Sequence, residues 1–391
     1  MELSKQGDGR ISARASGLDG VVVADTALSD VDGERGRLVV AGHDIEALAG
    51  RVSFEQLCAL LWTGQSGDAA LQEEVRAGLA AGRALAWSKL SGLGDALDAS
   101  DGGAALICAV SHLGTSALTS KNGDASKVFY DLALVTGAVA TFVAAWSRRS
   151  AGLAPIEPDA SRTHAADYLR MSLGVEPDAA VAKALETYLV TVADHSMNAS
   201  TFTARVVAST GSDLVSSIVA ALGALKGPLH GGAPGPVLDM LDAVGEASRA
   251  EAWVKAELDA GRRIMGMGHR IYRVRDPRAA VLERAATVLE RAGVRSDRLG
   301  LARAVERAAE SVLAARHPDR PLKANVEFYT AILLDAVGIS RSSFMPTFAV
   351  GRTAGWCAHV VEQRRTGRLV RPSSRYIGVF PDAFEAETKT T

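Results

Sequence analysis

Three of the eight histidines in this chain stand in local sequence that suits chemistry. His195 lies in Asp194-His195-Ser196-Met197-Asn198-Ala199-Ser200-Thr201, after Leu185, Tyr188 and Val192 at helical spacing. That periodicity predicts a helix over 183–198 with His195 and Asn198 one turn apart and facing inward. Such a histidine is either a hydrogen-bonded core residue or a ligand contact. His230 lies in Gly227-Pro228-Leu229-His230-Gly231-Gly232-Ala233-Pro234-Gly235-Pro236. The glycines let a ligand approach closely, and the prolines suit the first turn of a following helix. An imidazole facing a helix N-terminus is disfavoured as a cation, and a neutral one donates to a developing oxyanion. A turn histidine at a helix start fits the same pattern.

His269 follows Met265-Gly266-Met267-Gly268 and precedes Arg270, Arg273, Arg275 and Arg278. Arginines beside a glycine-rich loop suit phosphates or carboxylates, although a solvated basic helix start has the same composition. A bare Gly-x-Gly is weak evidence for a dinucleotide fingerprint, and this one follows no strand pattern as such a fingerprint should. Glu327, in Asn325-Val326-Glu327-Phe328-Tyr329, is a carboxylate in the first turn of a helix, either a general base or a complement to the helix dipole. Arg352 is a charge among Ala349, Gly351, Ala354, Gly355 and Ala358, and on a packed helix it needs a partner or an anionic ligand. Arg371, in Val370-Arg371-Pro372, is ambiguous by itself. The sequence contains no HExxH, paired cysteines, P-loop or GxSxG elbow.

The elements that must position these groups are helical. The chain has 391 residues, about right for two domains, with 48% hydrophobic and 23% charged residues. Disorder is thereby excluded for most of its length. The balance of 43 basic and 45 acidic residues, net −2, gives no overall electrostatic reason to coat nucleic acid or an anionic membrane. Three cysteines, Cys58, Cys108 and Cys357, form no disulfide framework or zinc spacing and suit a reducing cytoplasm. The N-terminus lacks the apolar region of a signal peptide. The apolar run 132–146 is short of the ~20 residues a spanning helix needs and reads as a buried core helix.

Strand signals occur near the start, where Val21-Val22-Val23 and Leu38-Val39-Val40 flank the turn residues 30–36 of a β-hairpin. Ser53 and Gln56 form a capping box. Asp276-Pro277 starts a helix that Gly293 ends, another spans from near Asn325 to Gly338, and a last one runs from about Pro346 to Gly367. The tail beyond Pro381 reads as disordered. The fold class is all-α.

In this order the segments resemble the citrate synthase family. The carriers are Asp194 to Thr201, Gly227-Pro-Leu-His-Gly-Gly232, Gly266-Met-Gly-His-Arg-Ile-Tyr-Arg273 with Asp276-Pro-Arg278, Asn325-Val-Glu-Phe-Tyr329, Gly351-Arg-Thr-Ala-Gly-Trp356 and Arg371-Pro372, together with Gly17-Leu-Asp-Gly-Val21 and Asp30-Val-Asp-Gly33. The likeness covers roughly 17–378 and is greatest to the shorter bacterial citrate and 2-methylcitrate synthases. It implies an all-α homodimer with no permanently bound cofactor and a coenzyme A thioester as co-substrate. A small domain (232–332) would close over the substrates between two parts of a large one (1–231 and 333–391).

The implied reaction condenses acetyl-CoA with oxaloacetate and water to citrate and CoA. His230 would donate to the thioester oxygen, Glu327 would remove the methyl proton and His269 would polarise the oxaloacetate carbonyl. His195, Arg278, Arg352 and Arg371 would hold the carboxylates, Arg371 from the other subunit. Ile264, Met265, Gly266, Met267 and Gly268 would receive the adenine of CoA, with Arg273 near its phosphates. Two departures stand out. The family usually has Asp where this chain has Glu327, which reads as a tolerated subfamily variant, and it commonly has Arg-Gly-Tyr or Arg-Gly-Phe where this chain has Ala41-Gly42-His43. The alternatives are a 2-methylcitrate synthase using propionyl-CoA and a non-catalytic sensor of oxaloacetate or CoA.

Overall fold

Helix starts in this chain are marked by Ser, Asp or Asn ahead of an apolar periodic run, and the structure follows those marks. The protein is described by a computed structural model over residues 17–378, except 19, 66, 115–124, 232–233, 295–297, 319–321 and 375. The C-terminal tail beyond Pro381 and the expected domain boundary at Gly232 lie outside the described residues.

A three-stranded antiparallel sheet comes first: β1 (Ser29–Asp32), β2 (Arg37–Val40) and β3 (His43–Asp44), in that order. Ser29 pairs with Val40 and Asp32 with Arg37. The hairpin is therefore real, but its first strand is not Val21-Val22-Val23. Those valines carry strand propensity without a partner strand among the described residues, and Val22 is 83% exposed. The pairing is taken instead by residues next to the tight 33–36 turn, where tertiary contacts outweigh propensity.

The helices follow: α1 (Ile45–Leu48), α2 (Phe54–Thr63), α3 (Ala69–Lys89), α4 (Gly102–Leu113), α5 (Ala125–Ser150), α6 (His164–Leu173), α7 (Ala179–Val192), α8 (Ala199–Ser209), α9 (Leu214–Leu225), α10 (Pro234–Val244), α11 (Ala250–Asp259), α12 (Pro277–Arg291), α13 (Arg298–Arg316), α14 (Val326–Ala336) and α15 (Phe344–Thr366). The Ser53 capping box is formed in full, with Gln56 as its second member. Asp276 caps α12, whose first residue is Pro277, and Gly293 after it is left-handed at φ 80°. Asn325 caps α14, and α15 runs to Gly367 as expected.

The long α5 is the one described helix apolar and long enough to cross a membrane, but 78% of its apolar window is buried inside the fold. It crosses α3 closely because the contact points are glycines. A Cβ at Gly82 would overlap the Leu134 carbonyl, and one at Gly137 the Leu79 carbonyl.

α15 uses the same device against the end of α7. Gly351 faces Leu189 and Val192, and a side chain at Gly355 would overlap the Ala193 carbonyl oxygen. The small residues around Arg352 thus bring that helix against the segment carrying His195. On the other side, loop 266–268 is zipped to 323–325. Gly268 N–H donates to Lys323 O (2.7 Å), Asn325 N–H to Gly266 O (2.9 Å) and Asn325 Nδ2 to Gly268 O (2.8 Å).

Candidate active site

These elements converge on an open cleft of about 1960 Å³. It is lined by His195, His230, His269, Arg278, Glu327 and Arg352, and by the whole of loop 264–268. Residues far apart in sequence are thus brought together.

His269 shows which ring nitrogen carries the proton. Its Nδ1 accepts the backbone N–H groups of Ile271 (3.0 Å) and Tyr272 (3.2 Å), so the neutral ring is protonated at Nε2. Burial, reinforced by Arg278, pulls its pKa down to about 4. Nε2 and Arg278 Nη2 stand 3.5 Å apart. They are two donors facing one space, and an oxygen between them would satisfy both.

Arg278 is nearly fully buried and forks onto Asp276, with Nε to Oδ1 at 3.0 Å and Nη2 to Oδ2 at 2.7 Å. Asp276 also accepts Arg278 N–H (3.0 Å) and Val326 N–H (3.1 Å). One carboxylate therefore ties the start of α12 to the start of α14 and fixes Arg278 relative to Glu327. Burial opposes the charge of Arg278, and Asp276 more than offsets it.

Arg352 has no such carboxylate. It is 2% exposed, its Nε donates to Val192 O, and its guanidinium carbon lies 4.6 Å from the Phe348 ring centre. Among the described residues no acid lies within ion-pair distance of it. Burial lowers its pKa to about 10, Asp194 offsets part of this, and Arg278 adds repulsion. Two buried guanidiniums sharing one cleft make a site for a dianion.

The sequence reading carries the helix through His195, but α7 ends at Val192. His195 sits in the connection to α8, where Ser196 adopts a left-handed φ of 52° and Asn198 becomes the N-cap. The apolar spacing persists because the connection is also packed inside. His195 Nε2 lies 3.1 Å from Tyr272 Oη, and burial, with Arg278 and Arg352, holds its pKa well below the ordinary imidazole value.

His230 faces the first turn of α8. Its Nε2 is 2.8 Å from Ser200 Oγ, which also accepts Trp356 Nε1–H (3.2 Å). Burial, then Arg352, lowers its pKa to about 4, so the ring is neutral at pH 7. Glu327 is the second residue of α14, half-buried, with its N–H on Asn325 Oδ1 (3.1 Å). Burial raises its pKa against the pull of Arg278, which makes it a stronger base than a surface carboxylate.

One expected residue is elsewhere. Arg273 points outward, 55% exposed, with Nε 3.9 Å from Glu34 and its backbone N–H on Gly33 O, because the hairpin turn holds that stretch on its outer side. Arg371 is exposed beyond α15 and does not line the cleft of its own chain. Ser200, Tyr272 and Trp356 were overlooked as site residues. All three lie inside the motifs quoted above, but their contacts to the histidines are tertiary and leave no spacing signal.

The family model for citrate synthase, C-terminal domain, matches residues 17–373. The chain belongs to the citrate synthase family. Among its relatives are a citrate synthase of Haloferax volcanii, 38% identical with 93% of this chain and 95% of the relative covered, and a 2-methylcitrate synthase of Mycobacterium tuberculosis, 36% identical with 94% and 92% covered. A solved ternary complex of carboxymethyl coenzyme A and oxaloacetate with citrate synthase from Thermoplasma acidophilum superposes with a TM-score of 0.83 at 25% identity, covering 93% of this chain and 96% of that one. The protein is accordingly an acyl-transferring enzyme of the citrate (Si)-synthase type, and acetyl-CoA is the family's co-substrate. The departure from the family pattern at Ala41-Gly42-His43 falls in the turn after β2 and on the first residue of β3, and none of these residues lines the cleft. The departure at Glu327 falls inside it.

Proposed function

We propose that the protein condenses acetyl-CoA with oxaloacetate and water, giving citrate and CoA. The observation that carries this reading is the occurrence, in one cleft, of two neutral imidazoles, two buried guanidiniums and a carboxylate of raised basicity.

A thioester methyl proton is weakly acidic, so a carboxylate removes it only if the charge appearing on the thioester oxygen is stabilised as it forms. Glu327 takes the proton and His230 donates to that oxygen, giving the enol. The enol carbon attacks the keto carbon of oxaloacetate. His269, with its proton on Nε2, donates to the oxygen of that carbonyl as it becomes an alkoxide. Arg278, Arg352 and His195 hold the two carboxylates, and Arg278 Nη2 supports the same oxygen as His269. Water then hydrolyses citryl-CoA to citrate and CoA. Loop 264–268 receives the adenine of CoA. Arg263, which lines the cleft, is a better placed cation for its phosphates than Arg273.

The open cleft supports a cycle in which 232–332 closes on the rest of the chain, pivoting where 271–274 rests on the β1–β2 turn and excluding water until the carbon–carbon bond has formed. The exposed Arg371 supports a homodimer in which this residue completes the partner's site. Three free cysteines fit a cytoplasmic enzyme.

Propionyl-CoA, giving 2-methylcitrate, is the second reading, favoured by the 2-methylcitrate synthase among the relatives. One methylene in an acyl pocket is worth only ~1–3 kcal/mol. Release of CoA thiol, measured with oxaloacetate and either acetyl-CoA or propionyl-CoA, decides between them. No thiol with either would leave a binding protein.

A further inference from the structure

The small sheet at the start of the chain touches both histidine loops. At the base of β1, Ser29 is buried, its hydroxyl donates to Asp194 Oδ2 and its oxygen accepts Ser196 N–H (2.8 Å). Asp194 and Ser196 flank His195. This contact holds Ser196 in the left-handed region, where a residue with a side chain is strained unless its surroundings fix it. Asp194 is itself held from behind by His359 Nε2 (3.1 Å), and His359 Nδ1 by Arg205 Nη1 (2.8 Å).

At the tip of the same hairpin, Gly33 O accepts Arg273 N–H (2.9 Å). A Cβ on Gly33 would overlap the Ile271 carbonyl oxygen, and one on Gly36 would lie 2.5 Å from Val274 Cγ2. The turn is thus pressed directly onto 271–274. The N–H groups of Ile271 and Tyr272 in this stretch fix the His269 ring, and Tyr272 Oη reaches His195. From Ser29 to Gly33 is one short strand and the first residue of its turn.

We infer that the β1–β2 hairpin is a positioning element that spans the two loops and sets His195 and His269 at their spacing, 5.8 Å between ring centres. Ser29 and Gly33 are its positioning residues. Neither makes a proton transfer. This rests on the reading of the two histidines as oxaloacetate ligands.

The test compares Ser29→Ala, Gly33→Ala, Ser29→Thr and His269→Ala with the wild-type enzyme, using the acyl-CoA that the thiol assay selects. The quantities read are the KM of each substrate, the Kd of oxaloacetate by calorimetry, and Tm. Loosening either end shifts a ring by a fraction of an ångström to an ångström, where about tenfold or more is lost. Ser29→Ala and Gly33→Ala raise the oxaloacetate KM and Kd about tenfold with the acyl-CoA KM within about twofold. Ser29→Thr restores the oxaloacetate value by keeping the hydroxyl. Glu34→Ala, an exposed change on the same turn, alters neither. Should Gly33→Ala fail to fold, the Ser29 pair carries the test. If His269→Ala weakens oxaloacetate while Ser29→Ala lowers only Tm, the hairpin inference is overturned and the site reading stands. If His269→Ala leaves oxaloacetate unchanged, both fall.

Discussion

Ser200 Oγ and His230 Nε2 lie 2.8 Å apart, joining the first turn of α8 to the glycine-rich loop before α10. Trp356 Nε1–H already fills one lone pair of that hydroxyl. The Ser200 proton is shared between Asn198 Oδ1 (2.8 Å) and His230. When it points to His230, the neutral ring carries its hydrogen on Nδ1 and can donate it to a ligand. Ser200→Ala frees Nε2 to take that hydrogen. We expect kcat to fall about 10–10²-fold, with the oxaloacetate KM changed less than about threefold. Steady-state kinetics with both substrates varied check this, and an unchanged kcat would remove Ser200 from the tautomer control.

His230 and His269 both have pKa values near 4, so both stay neutral through the physiological range. Neither ring should therefore contribute a step near pH 6.5 to the acid limb of kcat/KM. Stability follows the same shifts. A folded imidazole with a depressed pKa binds fewer protons than the unfolded one between about pH 6.5 and 4. Its contribution is complete above about pH 6.5 and is lost as pH falls toward 4. Tm measured across pH 4–8, with imidazole C2–H titration by NMR, reads both effects. A titration midpoint of about 6.5 for either ring contradicts the description.

Arg352 has a ligand-shaped deficit: a buried charge, one backbone carbonyl, an aromatic face, and another guanidinium nearby. Arg352→Leu removes a buried cation that lacks its own carboxylate, so Tm should hold or rise. The oxaloacetate KM should rise at least about tenfold, equivalent to ~1.4 kcal/mol. Calorimetry with oxaloacetate and a thermal melt give the two readings. Unchanged affinity in the folded variant would take Arg352 out of the site.

Local rules made the helices legible, since Ser53, Asp276 and Asn325 sit as N-caps where their sequence places them. The site segments were equally legible because glycine, histidine and arginine cluster in short motifs. What stayed hidden depends on distant partners. Val21 to Val23 have strand propensity but pair with no described strand, while Ser29–Asp32 gain a partner through a turn that docks on 271–274. The end of α7 at Val192 leaves no mark in the apolar spacing, because Ala193 to His195 stay buried after it, Ala193 against the distant Gly355. Arg273 is basic and beside the right loop, but its backbone is held on Gly33 and its side chain is exposed toward Glu34, contacts that no local spacing reveals.

Arg371 is exposed in its own chain and belongs, on the proposed reading, to the partner's site. Arg371→Leu and Glu327→Gln then disable different halves of each composite site. Mixed and allowed to exchange subunits, the two inactive variants should recover part of the wild-type activity, since each heterodimer has one intact site. Activity is followed by thiol release, with exchange verified by a tag on one variant. Absence of recovery after verified exchange places Arg371 outside the partner's site.

On the proposed reading Glu327, standing where the family usually has Asp, is the base. Glu327→Gln keeps volume and hydrogen bonding but cannot take a proton, and turnover should fall by ~10²–10⁴-fold while oxaloacetate still binds. Glu327→Asp shortens the reach by about an ångström and should lower kcat with little change in the oxaloacetate KM. The most direct measurement is exchange of the acetyl-CoA methyl protons into deuterium oxide with a non-reacting oxaloacetate analogue bound. It isolates proton removal from bond formation and hydrolysis. Exchange is expected in the wild-type enzyme, and its loss by at least about 10²-fold in Glu327→Gln. Exchange at the wild-type rate in Glu327→Gln would contradict Glu327 as the base.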